Sequence, residues 1–185
     1  DMYESKEFYN VSKHLVTHFR WQSGDQTEEL TLVNVHFRAS EKGAPLRQRQ
    51  AKLIRYWIDP HLQRGSNVIV LGDLNSEENC QQPDANGEVG LICGRSQQTV
   101  PQLTDLHRHL LPARRATHMI GKQFDRILIS PSLQRDDEQK RDLVFDSIRS
   151  GKDLVVRGKK ADTEHRDIYY KIPQQERDVS DHYPL

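Results

Sequence analysis

The chain has 185 residues and a mass of 21.6 kDa, and its 27 Lys+Arg against 27 Asp+Glu give a formal net charge of zero. That length holds one domain or a large piece of one, and a hydrophobic share of 35% beside 29% charged residues confines the core to a few concentrated segments. Mean hydropathy is −0.83 and no run approaches the roughly 18 apolar residues of a membrane-crossing helix, which excludes an integral helical membrane protein. The balanced charge argues against gripping nucleic acid by bulk electrostatics, although it leaves room for a local basic groove.

In chain order, residues 13–21 read as a strand of β-branched and aromatic residues. A turn around Ser23-Gly24-Asp25 and a second strand over 29–37 follow, the pattern of an antiparallel hairpin. In that second strand Leu30, Leu32, Asn34 and His36 face one way and Thr31, Val33, Val35 and Phe37 the other. Both faces are mostly apolar, so the strand is expected to be covered on both sides. The span 46–57 carries apolar residues at helical period, and Pro60 is expected to end or kink that helix. Asn67-Val68-Ile69-Val70-Leu71-Gly72 is the clearest buried strand, and strand, helix, strand in this order indicates an α/β protein with mixed pairing.

The segment 77–102 is irregular, 100–111 suggests a shorter helix, and 124–130 reads as another strand. Residues 134–167 are highly charged and balanced in sign, as in a solvated insertion. Cys80 and Cys93 lack zinc-motif spacing. They are expected as free thiols, with a loop-stapling disulfide as the alternative in an exported protein.

Three polar motifs fall at the ends of apolar strands. Gly72-Asp73-Leu74-Asn75 puts a carboxylate and an amide two residues apart, projecting to the same side, which suits a base beside a neutral donor. An ordinary turn has the same composition. Phe124-Asp125-Arg126-Ile127-Leu128-Ile129-Ser130 sets an acid at the start of a strand, where a turn cap or a pair with Arg126 is the bland reading. In Ser180-Asp181-His182-Tyr183-Pro184 the adjacent acid and imidazole point to opposite sides of an extended segment, which Pro184 helps to hold.

Taken together with Asn34-Val35-His36, these motifs resemble the endonuclease/exonuclease/phosphatase superfamily, the group of pancreatic deoxyribonuclease, the apurinic endonucleases, sphingomyelinases and inositol polyphosphate 5-phosphatases. The resemblance runs from Lys13 to Leu185. It implies a four-layer α/β sandwich, two packed mixed sheets flanked by helices, and phosphoester hydrolysis with Mg²⁺ or Mn²⁺. Carried onto this chain, it implies Asp181 as a metal-associated carboxylate and His182 as a phosphate contact. Asp73 would orient or deprotonate the attacking water and also serve the metal. Asn75 would bond phosphoryl oxygens, Asp125 would fix the His182 ring, and His36 would be a second phosphate contact that aids the leaving group.

That chemistry is consistent with the residue types. Negative charge developing on phosphoryl oxygens calls for a cation, N–H donors and a positioned base. A hard cation prefers carboxylates and water to thiolates.

The chain also departs from the family pattern. An Asn-bearing strand and a metal-binding Glu normally precede the part matched here, and Glu4 and Glu7 are poor substitutes because they lie in a polar segment. A last strand usually follows the Ser-Asp-His motif. The chain is therefore expected to be the C-terminal two-thirds of one domain, inactive in isolation.

Around the motifs, His118 and Thr117 are candidates to touch substrate, though a solvated loop histidine is the simpler expectation. Arg38 and Arg47 are candidate phosphate ligands. His107 and His109 are expected on a helix surface, Trp57 in the helix face, and Trp21 at a strand end. The substrate class stays open among nucleic acid, a small-molecule phosphate and a lipid phosphate. A nuclease would draw on Arg149, Lys152, Arg157, Lys159 and Lys160 for a basic groove. A non-catalytic binding or regulatory module of the same fold is the rival reading.

Overall fold

The computed structural model describes residues 13–82, 84–97, 100–139, 142–157 and 167–185. Strands β1 (Lys13–Ser23) and β2 (Gln26–His36) form the antiparallel hairpin, in register from Lys13↔His36 to Ser23↔Gln26. The two-residue turn uses Gly24 at a φ of 62°, the backbone region where glycine escapes the Cβ penalty. Helix α1 (Ala44–Gln63) crosses from β2 to β3 (Asn67–Asp73), which lies parallel to β2. A short helix α2 (Glu88–Cys93) and the two-residue strand β4 (Thr104–Asp105) follow. Strand β5 (Asp125–Ile129) then runs antiparallel to both β3 and β4, and helix α3 (Lys152–Val155) comes last.

The result is a mixed five-stranded sheet in the order β1-β2-β3-β5-β4 with flanking helices, the α/β class expected from the motif order. Among the described residues this is one sheet, and a second sheet of the expected sandwich is not among them.

The main core lies between the sheet and α1. Val33, Val35, Val68, Val70 and Leu128 point from alternate strand positions onto Ala51, Ile54, Ile58 and Leu62, with Val89 and Ile92 of α2 closing one side. Each fully buried aliphatic side chain there contributes about 1.5–3 kcal/mol of transfer free energy. The opposite face is covered toward β5, where Ile129, Leu106 and Leu133 gather Leu30, Ile69, Ile127, Leu143, Phe145 and Ile148. The described part of the charged 134–167 segment thus contributes apolar side chains to packing, while its basic residues Lys159 and Lys160 lie outside the described residues.

Three expectations need correction. Strand β2 is fully covered on one face only: Thr31, Val33 and Val35 are buried, whereas Asn34 and His36 are exposed. Leu15 and Phe19, cross-strand neighbours of Asn34 and Leu30, are 58% and 47% exposed on that open side. Of the end or kink expected at Pro60, the end does not occur, and α1 continues to Gln63. In the last turn the missing N–H costs one hydrogen bond, and buried Leu62 anchors the turn beyond it. The helix expected over 100–111 is replaced by β4 and a 3-10 turn over Leu106–His109. There the Asp105 carboxylate accepts from the His107 N–H at 3.0 Å, a capping bond that competes with a longer helix.

Candidate active site

The sheet register brings three of the motifs to one edge. Because β2 and β3 are parallel and β5 is antiparallel to β3, the C-terminal ends of β2 and β3 meet the start of β5. The pairs His36↔Asp73 and Asp73↔Asp125 therefore form one row across the sheet. Gly72, just before Asp73, has φ 126°, and a Cβ there would run into the Val35 carbonyl oxygen. Glycine is thus required for β3 to pass so close to β2 where the acid is presented.

Asn75 takes a left-handed backbone at φ 47°, a region asparagine tolerates. Its backbone N–H donates to Asp73 Oδ1 at 2.8 Å, and its side-chain amide donates to Asp73 Oδ2 at 3.0 Å and to the Phe37 carbonyl at 3.1 Å. Asp73 is thereby held rigidly against its own loop.

The Ser-Asp-His segment reaches the row by pairing with the loop before β5. The Tyr183 N–H donates to the Thr117 carbonyl at 2.7 Å and the Met119 N–H to the Asp181 carbonyl at 2.9 Å, on either side of a bridge between His118 and His182. His182 Nδ1 lies 2.8 Å from Asp125 Oδ2, and its Nε2 lies 3.9 Å from Asp73 Oδ2. His36 Nε2 approaches the same Asp73 oxygen at 3.4 Å. Asp125 itself is positioned by its N–H, which donates to Thr117 Oγ1 at 3.0 Å.

These contacts set the electrostatics. Asp73 is pushed above the usual carboxylate range, first by burial and then by the neighbouring charge of Asp125, against the bond from Asn75 and the attraction of His182 and His36. The His182 imidazole is held above its ordinary value, chiefly by the hydrogen bond to Asp125 and against partial burial. A half-buried carboxylate thus faces an imidazole whose charged form is favoured.

His118 is the residue that sequence reasoning placed wrongly. Expected in solvent, it is 5% exposed and stands edge-on to His182, with ring centroids 4.7 Å apart at 85°. Its Nδ1 accepts from the Ile120 N–H at 3.1 Å, so in the neutral ring Nε2 carries the proton and faces Asp181 Oδ2 at 3.4 Å. The available signal was the Thr117-His118 pair a few residues before the β5 acid, but nothing in a single sequence shows that this loop would pair with the Ser-Asp-His segment.

His107 is also buried rather than superficial, with Nε2 2.9 Å from the Arg115 carbonyl, whereas His109 is exposed as expected. Arg47 turns inward to Glu88 at 2.9 Å and to the carbonyls of Arg38 and Ser40, which removes it as a phosphate ligand. Arg38 is exposed. Trp57 packs on α1 as expected, beside His61. Arg126 ties Asp105 at 2.7 Å and the Glu78 carbonyl beneath the row. Both cysteines are free, and burial raises the Cys93 thiol to about 12, which makes it unreactive near neutral pH.

The described residues offer a divalent cation the carboxylates of Asp73, Asp125 and Asp181, and Asp181 has ligand atoms within 4.8 Å of those of His118 and His182. The carboxylates suit a hard ion, whereas the two imidazoles beside Asp181 are donors that borderline transition metals accept more readily. The neighbouring charge of Asp125 adds to the cost of ionising Asp73, a repulsion that a nearby cation relieves. Glu4 and Glu7 lie outside the described residues.

No protein-family model and no curated protein sequence matches the chain. Solved structures do. A humanized D. rerio TDP2 superposes with a TM-score of 0.51 at 16% identity, over 93% of this chain and 58% of that one. Truncated Caenorhabditis elegans TDP2 superposes with a TM-score of 0.53 at 14% identity, over 92% and 57%. The chain shares the fold of these structures. It spans a little under three-fifths of the length of these two neighbours. Within that fold, the row of His36, Asp73 and Asp125 with the Ser-Asp-His loop stands at the strand ends, where loops rather than packed core surround it.

Proposed function

We propose that this chain carries the catalytic half-site of a metal-dependent phosphoester hydrolase. The observation that supports this reading best is the convergence of Asp73, Asp125, His36 and His182 within hydrogen-bonding or ion-pairing distance at one sheet edge, with Asp181 beside them.

In this reading Asp73 orients the attacking water and takes its proton. Burial helps by bringing the carboxylate's pKa upward, nearer to working pH. Asn75 holds Asp73 in the free site and bonds a phosphoryl oxygen when substrate binds, giving up for it the amide bond to Asp73 Oδ2 or to the Phe37 carbonyl. His182, steadied by Asp125, presents Nε2 to the phosphoryl group as a cationic donor. His36, exposed on the other flank of Asp73, contacts the phosphate and protonates the leaving oxygen. Asp181, with Asp73, would hold Mg²⁺ or Mn²⁺, which neutralises charge developing on the phosphoryl oxygens when bound.

The test is hydrolysis by the whole protein of bis-p-nitrophenyl phosphate, p-nitrophenyl phosphate and plasmid DNA, each with Mg²⁺ or with EDTA. Turnover of at least one ester that EDTA abolishes is the expected result. No turnover of any of them with Mg²⁺ favours a binding module built on the same fold.

A further inference from the structure

His118 is buried beside the cluster, and none of the hydrolytic steps uses it. The loop that carries it is closed by main-chain bonds. The Thr117 and His118 N–H groups both donate to the Lys122 carbonyl, at 2.9 and 3.2 Å, and the Gly121 N–H donates to the His118 carbonyl at 2.9 Å. Gly121 completes the closure at φ 81°, a backbone region that glycine enters without a Cβ penalty. The closed loop aims the Ile120 N–H at the ring's Nδ1. Phe124, at 68° with centroids 5.4 Å apart, and His182, at 85° and 4.7 Å, clamp the ring on its other sides.

This confinement fixes the hydrogen arrangement of the imidazole. A backbone N–H only donates, so Nδ1 presents its lone pair to Ile120 and the hydrogen sits on Nε2. A nitrogen that carries hydrogen has no lone pair for a metal, which takes His118 out of the ligand set and leaves Asp181 and His182 in it. The same hydrogen faces Asp181 Oδ2 at 3.4 Å. That is longer than the usual N–H···O distance of about 2.7–3.2 Å, as contacts of this kind commonly are before ligands bind. The Asp181 side chain is 48% exposed, so one of its oxygens meets a buried donor while the group stays open to the site.

A carboxylate that ligates a cation takes its orientation from hydrogen bonds outside the ligand set. The Met119 N–H bond to the Asp181 carbonyl fixes the main chain there and leaves the carboxylate its rotation. A neutral N–H suits the remaining task, because a cationic partner would offset the carboxylate's charge and repel the metal. We propose that His118 is a positioning residue, whose Nε2–H holds the Asp181 carboxylate in the orientation that meets the divalent cation. The inference rests on the phosphoester reading above only in taking Asp181 as a ligand of that cation.

The two ring nitrogens then serve different ends, and two substitutions separate them. In His118→Asn the amide oxygen replaces Nδ1 as acceptor for the N–H two residues on, as asparagine does in Asx turns, and nothing reaches Asp181. In His118→Gln the longer amide carries its N–H to the place of Nε2, and the bond to Ile120 is lost. The measurement is the dissociation constant of Mn²⁺ from the whole protein, read from the electron paramagnetic resonance of the free ion. Mg²⁺ and Co²⁺ are measured by competition, and melting temperatures are taken in EDTA. His118→Asn should melt close to wild type and bind all three ions about 10–100-fold more weakly, the usual cost of losing a bond that orients a metal ligand. His118→Gln should melt lower and bind them nearly as tightly as wild type. Unchanged affinity in His118→Asn overturns the proposal. So does a loss in both variants that follows their melting temperatures, or failure of both to fold, either of which marks a structural role. A loss confined to Co²⁺ overturns it too, since it makes His118 a ligand. Should His118→Gln alone not fold, the affinities and melting temperature of His118→Asn decide. The expected pattern without hydrolysis of any ester by the whole protein would sink the phosphoester reading alone. EDTA-sensitive hydrolysis with unchanged Mn²⁺ affinity in His118→Asn would sink this proposal alone, and a wild type that binds no Mn²⁺ would sink both.

Discussion

At the scale of single residues, the pair of Asp125 and His182 governs how the site responds to pH. Asp125 holds the imidazole above its ordinary value of 6.5, so the cationic donor persists to higher pH than a free histidine would allow. Asp125→Asn should therefore move the alkaline fall of kcat/KM to lower pH, with the ring still present. An unshifted limb would separate His182 from that ionisation. The sign for stability is the same. A raised histidine contributes stability that is fully present below the unfolded pKa and lost as pH rises through the folded one. The melting-temperature advantage of wild type over Asp125→Asn should shrink from mildly acidic toward alkaline pH. Asp73 carries the opposite burden, because burial raises a carboxylate and penalises its ionised form above that pKa. Asp73→Asn, which keeps the shape and removes the charge, should abolish hydrolysis without lowering the melting temperature at neutral pH.

At the scale of elements, the site is rigid because of where β3 passes β2. Gly72→Ala places a Cβ against the Val35 carbonyl and forces a side chain into a positive-φ backbone. It should cost at least about 2 kcal/mol in urea unfolding and disturb Asp73 along with the fold. The core that the hairpin packs on α1 and the hairpin's open side should answer differently to truncation. Val33 is fully buried against α1 and Phe19 lies half exposed on the open side. Ile54→Ala in the same core is expected to cost about 2–5 kcal/mol, whereas Phe19→Ala should cost under about 1 kcal/mol if that face stays solvated.

The elements also show what a single sequence can carry. The hairpin, β3 and β5 were legible because β-branched runs between turn residues have few other uses. The hydrophobic alternation of β2 was legible too, but its apolar second face was not evidence of cover, since Leu30 and Leu32 can sit part-exposed on an open sheet side. The helix expected before Leu111 failed for a local reason, the Asp105 cap, and for a long-range one, the pairing of Thr104 with Ile129.

At the scale of the whole molecule, the motifs that lay tens of residues apart converge because of strand order, and periodicity alone does not contain strand order. The positions of His36, Asp73, Asn75, Asp125 and His182 could be picked from sequence only through their joint resemblance to a known family. His118 and Thr117 stand out as candidates beside the β5 acid, but the burial of His118 does not, because it depends on a bridge between two irregular segments.

Under the proposed function, these converged side chains perform phosphoester hydrolysis. The most direct measurement is kcat/KM of the whole protein on bis-p-nitrophenyl phosphate with Mg²⁺, for wild type, Asp73→Ala and His182→Ala. Each variant is expected to fall by about 10²–10⁴-fold, the range for removing one acid–base or electrostatic group, with circular dichroism unchanged. Activity equal to wild type in either variant would contradict the claim.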